Sequence, residues 1–347
     1  MESTGVYKAS VAEEIRESWR ELVAKYQEPD IRRSGWQLVN TLVPYFALCA
    51  VMYWSLGVSY LLTLALAVPA AGFLVRIFII SHDCGHGSFF KSARANAFWG
   101  SITSFLVYNP YYYWKHEHAL HHANNGNLDK RGHGDIWTMT VYEYLTATRG
   151  KRLAYRIYRN PIVLFLVGAL YVFLIGYRMV SKKASEKDRR SVRRMNVALL
   201  AMVAVVHFTI GLPAFIMMQL PVLFLAAAAG AWLFYVQHQY EGVYWQRKGH
   251  WDYVAAALDG SSYYKLPAVL QWFSGNIGFH HIHHLSAKIP NYNLARCHRE
   301  NPVFQKVTQI NLWASFRCIK FRLWDEQRGE LISFRRLREI RRAEAES

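Results

Sequence analysis

Apolar and polar positions alternate on a coarse scale along this chain: four long apolar runs, residues 38–56, 60–80, 196–220 and 221–240, are set off by charged segments. As helices rising about 1.5 Å per residue, each is long enough to cross roughly 30 Å of hydrocarbon. The first two runs make one hairpin, and the last two, joined tightly around Leu220 and Pro221, make another. A fifth run, 161–180, contains Gly168 and Gly176. It is read as a re-entrant or interfacial helix pair, because a crossing there would strand the basic loop that follows on the outer face. Residues 11–26 and the stretch from Phe334 onward read as amphipathic helices on the cytosolic surface.

The predicted fold is an all-α integral membrane protein, with four transmembrane helices and a cytosolic helical cap. No internal repeat, low-complexity tract or Gly/Ser linker divides it, so the 347 residues are read as one domain. Within it, 1–35 is a cytosolic amphipathic segment and 36–80 the first hairpin. Residues 81–195 are a cytosolic and interfacial region, 196–241 the second hairpin, and 242–347 a cytosolic region ending in a basic helix.

Charge sets the orientation. The formal net charge of +17 suits segments lying on anionic lipid, and is not read as a nucleic-acid footprint in a chain with four spans. Arg178, Lys182, Lys183, Lys187, Arg189, Arg190, Arg193 and Arg194 crowd one loop, opposed only by Glu186 and Asp188, and 335–342 is similarly basic. Loops rich in Lys and Arg stay on the cytosolic side. Both termini are therefore expected in the cytosol, and the first 35 residues lack the short apolar core of a signal peptide. Cys49, Cys84, Cys297 and Cys318 are scattered and are read as reduced thiols.

Chemistry is concentrated in three histidine clusters near the ends of apolar runs: His82 and His86; His118, His121 and His122; His280, His283 and His284. Residues three and four apart share a helix face, so each cluster presents its imidazoles to one side. With the first two runs as a hairpin and the last two as another, all three clusters come to one membrane face. Eight convergent imidazoles exceed what one transition metal takes, about six ligands at most, so two metals are expected. His238 ends the fourth run at the same face and would be a ninth ligand. Asp83, Glu117, Asp135 and Glu241 are candidates to orient imidazole N–H groups. His116 and His281 lie off the repeated spacing and are placed beside the ligands rather than among them. His133, His207, His250 and His298 have no partner at helical spacing and are read as structural.

The motifs also carry a resemblance. His82-Asp83-Cys84-Gly85-His86, His118-Ala119-Leu120-His121-His122 and Gly278-Phe279-His280-His281-Ile282-His283-His284, in this order, resemble the membrane fatty acid desaturases, specifically the bacterial branch similar to delta-12 (omega-6) acyl-lipid enzymes. The stretches 126–138 and 235–238 look like that branch too, and the similarity runs over residues 38–297. The resemblance implies a non-haem di-iron centre on the cytosolic side, held by the eight clustered histidines and His238. It implies removal of hydrogen from two neighbouring methylenes of a lipid acyl chain, using O2, two external electrons and two protons, to give a cis alkene and water. In the animal acyl-CoA desaturases an Asn one turn before the ninth histidine holds a water on one metal; here that place is Phe234.

The chain has no haem-attachment Cys pair, iron–sulfur spacing or dinucleotide fingerprint, so electrons must come from an outside donor such as ferredoxin or flavodoxin. An acyl chain would reach the site from the membrane through a tunnel for which Tyr108, Tyr112, Trp114 and Trp137 are wall candidates. A bacterial inner membrane is the expected location. Competing readings are an acyl hydroxylase with the same iron site, a histidine-rich metal transporter and a membrane haem protein. The last two fit poorly, because a transporter places its polar ligands mid-span, and here they sit at span ends.

Overall fold

Two long helical hairpins frame the molecule. The computed structural model describes residues 11–181 and 184–346; Lys182 and Lys183 of the basic loop lie outside them. Four described helices are long and apolar enough to cross a membrane: Ile31–Ser55, Tyr60–His86, Glu186–Thr209 and Leu212–His238. Asp30 starts the first of them, its Oδ1 accepting from the backbone N–H groups of Arg32 and Arg33 at 2.8 and 3.3 Å. The second span runs past the lipid-facing run and ends only at Gly87, whose φ of 72° gives the left-handed turn that stops a helix. His82 and His86 therefore sit on its last two turns.

The second hairpin turns ten residues earlier than expected. Its break is at Ile210 and Gly211, where Gly211 takes φ 82° and Pro213 opens the next helix. Pro221 lies inside the fourth span, as Pro44 and Pro69 lie inside the first two. Proline is tolerated within spans because neighbouring groups re-satisfy the freed backbone, so it was a poor marker of the turn. Residues 161–180 do not continue as one straight helix: Arg149–Tyr158 and Val163–Arg178 meet at 74°. The bend falls at Asn160 and Pro161, where the Asn160 side chain accepts from the Ile162 N–H at 2.9 Å.

The cap is helical with small β additions that the sequence reading lacked. A three-stranded sheet joins Met139–Thr140, Leu323–Asp325 and Glu330–Ile332, and Tyr263–Lys265 pairs in parallel with Gln309–Asn311. Residues 11–26 are two short helices, Val11–Ile15 and Trp19–Ala24, rather than one helix lying on the surface. Val11, Ala12, Ile15, Val23 and Tyr26 are buried in the same apolar cluster as Ile282 and Leu285, so this segment backs the third histidine cluster. Close packing also fixes Gly278: a Cβ there would stand 2.4 Å from the carbonyl oxygen of Tyr264, leaving no room for a side chain two residues before His280.

Candidate metal centre

Nine imidazoles meet where the second and fourth spans end. Ring nitrogens of His82, His86, His118, His122 and His283 all lie within 4.8 Å of one another, and those of His121, His238 and His284 form a second group with the same limit. His280 joins the second group through its Nε2, 2.9 Å from that of His238 and 3.1 Å from that of His284. The two groups adjoin along a seam in which the rings of His122 and His284 stack at 4.2 Å. Each group draws on both halves of the chain, since His283 completes the first and His121 the second.

Local structure explains this placement. His118, His121 and His122 lie on consecutive turns of Tyr111–Asn124, and His280, His283 and His284 on the single helix His280–Leu285. Nδ1 hydrogen bonds orient three of the rings. His121 donates to Asp135 Oδ1 at 2.7 Å, His82 to Asp83 Oδ1 at 3.1 Å, and His238 to the carbonyl of Gly260 at 3.3 Å. The acids are themselves held: Asp83 Oδ2 accepts from the backbone and side-chain N–H groups of Asn291 at 2.6 and 2.8 Å, and Asp135 Oδ2 from Gly132 N–H at 3.2 Å. With the proton on Nδ1, each Nε2 presents a lone pair to the interior.

Such lone pairs repel one another unless a cation lies between them. Two nitrogens bound to one ion at about 2.05 Å and at right angles are about 2.9 Å apart. The Nε2 pairs His280–His238, His122–His283, His118–His122 and His280–His284 are separated by 2.9, 3.0, 3.1 and 3.1 Å. Burial in turn pushes the imidazoles of His118, His122, His280, His283 and His284 well below their ordinary titration range. They are neutral donors, and the set fits two metal cations in number, spacing and charge.

The remaining sequence candidates divide sharply. Asp83 and Asp135 reach clustered histidines, whereas His116 bonds through Nδ1 to Asp188 Oδ2 at 3.1 Å and Glu117 pairs with His133 at 3.5 Å. Glu241 is exposed and has no hydrogen bond or ion pair to any clustered histidine. His281 points away from the centre onto His298 and Phe304, with ring centroids 5.6 and 6.4 Å away. His116, Glu117 and His281 lie on helices where adjacent residues face different directions, and Glu241 lies in the turn beyond His238, so none of the four takes the expected place beside a clustered imidazole.

Of the tunnel candidates, Trp114 stacks on His118 at 4.5 Å and meets His82 at 5.7 Å. Tyr108, at φ 57°, accepts Arg178 on its carbonyl, and Tyr112 receives Lys187 over its ring. Trp137 is 39% exposed and packs on Tyr155 and Tyr158. Phe234 touches the second group directly, 5.1 Å from His121 and 5.0 Å from His238.

Two residues that sequence reasoning missed support this region. Arg159 is fully buried. Its guanidinium donates to Trp137 O, Thr138 Oγ1, Gln239 Oε1 and Phe321 O at 2.7–3.2 Å, and it lies 3.2 Å from the Tyr235 hydroxyl. Arg76, buried in the second span, reaches Thr41 and the Trp272 carbonyl. Neither sits in a motif, and their partners come from distant segments.

Replacing Asp135 by Asn keeps the shape but removes the charge that holds the His121 proton. A 10–100-fold loss of activity or metal affinity is expected, as for other partners of metal-bound histidines. Metal titration of the purified variant beside wild type checks it.

Comparison with known proteins agrees with this geometry. The family model described as "Fatty acid desaturase" matches residues 57–310. A "Fatty acid desaturase" of Bacillus subtilis is 48% identical over 318 residues, covering 92% of this chain and 90% of its own. An "sn-1 oleoyl-lipid 12-desaturase" of Synechocystis is 26% identical over 65% of this chain and 64% of its own. An "Omega-3 fatty acid desaturase, endoplasmic reticulum" of Vigna radiata is 29% identical over 65% and 61%. With more than half of its length matched by the family model and a 48% identical relative spanning nearly all of it, this chain belongs to the fatty acid desaturase family and is a membrane-embedded oxidoreductase.

Proposed function

We propose that the two imidazole groups hold two iron ions and that the enzyme uses O2 to place a cis double bond in the acyl chain of a membrane lipid, at a delta-12 or omega-6-like position. The observation that carries this reading is the meeting of nine imidazoles in two groups at the ends of two spans. Iron, rather than zinc or copper, comes from the family, since imidazole suits all three. Bound there, the metal pair supplies an oxidant strong enough to remove hydrogen from unactivated methylenes, given O2, two electrons and two protons.

The protein's own residues do the rest. Asp83, Asp135 and the Gly260 carbonyl keep His82, His121 and His238 in the tautomer that offers Nε2 inward. Trp114 and Phe234 line the two groups with aromatic surface, which keeps water away and suits a saturated chain. Regiochemistry follows the 12-desaturases of Synechocystis and Anabaena variabilis, 26% and 27% identical. An acidic ferredoxin or flavodoxin is the electron donor we favour. One Synechocystis relative, 25% identical, is named an "sn-1 acyl-lipid omega-3 desaturase (ferredoxin)".

For topology we propose one domain in a bacterial inner membrane, with both termini and the metal centre cytosolic. The basic start of the third span and the basic C-terminal helix support that side. A re-entrant course for residues 161–180 is supported by what flanks them. Arg159 bonds to Gln239, beside His238, and Asp188 bonds to His116. The chain thus leaves from and returns to the level of the centre.

The test is expression in a bacterium lacking polyunsaturated lipids, with fatty acids measured by gas chromatography and mass spectrometry beside a His121→Ala control. A new double bond absent from the control is the expected product. Hydroxylated chains would mean the hydroxylase reading, and no product from iron-loaded protein given a reductant would overturn the lipid assignment.

A further inference from the structure

Far from the histidines in sequence, the helix Arg149–Tyr158 and the C-terminal helix Phe334–Glu346 enclose a cleft of about 340 Å³. Its walls carry Arg149, Arg152, Arg338 and Arg341, together with Leu145 and Leu153. None of these four arginines is in an ion pair with a described carboxylate. A fifth, Arg156, is already engaged by the Tyr144 hydroxyl and the ring of Phe334. The floor is built, since Tyr144 and Leu337 are buried with Tyr155, Leu323 and Ile332 in one apolar cluster. The cleft is thus a recess of positive charge, and no described carboxylate is ion-paired with its four arginines.

A second pattern says what would. Leu153 and Ile157, one turn apart, are 59% and 52% exposed, and Ile162 and Val167 beyond the bend are 65% and 60% exposed. Apolar side chains interleaved with arginines on a helix that leads into an apolar segment are the pattern of a helix lying in the membrane interface. The basic cleft opens beside that stripe. A ligand matching both features has a phosphate and acyl chains on one molecule.

We propose that this cleft binds the headgroup of an anionic phospholipid from the surrounding bilayer, its phosphate on the four arginines and its chains along Leu153 and Ile157. Arginine suits the role because its planar guanidinium bonds phosphate oxygens in pairs. An acidic protein would match the charge but would leave the apolar stripe unused. This site is separate from the metal centre and does not depend on the reaction proposed for it.

The test is native mass spectrometry of the detergent-released full chain from vesicles of equal phosphatidylglycerol and phosphatidylcholine, beside the variant Arg149→Gln/Arg152→Gln/Arg338→Gln/Arg341→Gln. These side chains are exposed or partly exposed, and unchanged metal content and unfolding temperature verify that the variant is folded. Wild type is expected to retain phosphatidylglycerol over phosphatidylcholine, and the variant to lose that preference by at least about tenfold. Equal retention of both lipids by wild type, or an unchanged preference in the variant, overturns the proposal. Complete displacement by inorganic phosphate overturns the lipid source and leaves a free-anion site. A variant that keeps its lipid but no longer accepts electrons from reduced ferredoxin assigns the cleft to an acidic protein, against the proposal.

Discussion

A His238→Ala enzyme is expected to bind about one iron per chain in place of two and to lose activity by at least about 100-fold. The expectation rests on the second group, where His238 stands opposite His280 at 2.9 Å and shares His121 and His284 as neighbours. Removing it leaves three imidazoles there and an apolar gap beside Phe234. The first group has five nitrogens of its own and should keep its ion. Metal analysis of the purified protein, run beside fatty acid profiles, separates the two groups. His116→Ala, which touches Asp188 instead, should retain both ions. Two irons bound in the His238 variant would mean that the fourth span contributes no ligand.

The second large effect is on stability. Arg159→Met is expected to lower stability by about 3–5 kcal/mol, because four buried neutral acceptors lose their charged donor at about 1 kcal/mol or more each. Methionine nearly fills the volume but donates nothing to Trp137 O, Thr138 Oγ1, Gln239 Oε1 or Phe321 O. Those acceptors then stay buried without their partner, which is dearer than losing an exposed bond. In a chain of this size the thermal midpoint should fall by about 4–7 °C, read by a thiol-reactive dye against the four buried or half-buried cysteines. Because Gln239 follows His238, iron affinity should fall as well. An unchanged midpoint would show the network to be dispensable.

How far the sequence discloses this centre depends on the range of the contacts involved. Eight of the nine clustered imidazoles are legible because they repeat at three and four residues on helices, and the repeat itself carries the geometry. His238 stands alone, so only its place at a span end and the family resemblance single it out. Asp83 and Asp135 are found by their nearness, but nearness equally nominates Glu117 and Glu241, which turn to other faces. The carbonyl of Gly260, the Asn291 amide and Arg159 carry no local signal, since they meet the centre only once distant loops have folded.

The spans were legible for the same reason the second turn was not. Hydropathy is a sum over many residues and tolerates error, whereas a turn is fixed by one or two. Pro221 looks like a break yet lies within a helix, and Gly211 holds the left-handed conformation that makes the break. Likewise, residues 11–26 have an amphipathic pattern that fits a membrane surface, but the cap offers their apolar side chains a closer partner.

Because each imidazole group takes members from both halves of the chain, the order of synthesis matters for when the enzyme can be loaded. While residues 82–122 have emerged and 238–284 have not, the first group lacks His283 and the second has only His121. At that stage the first group already has four imidazoles, whereas the second has one of its four. On the two-ion reading proposed above, the second site can be loaded only after His284 has cleared the ribosome and both hairpins are in the bilayer, so its ion would join two halves that the membrane received one after the other.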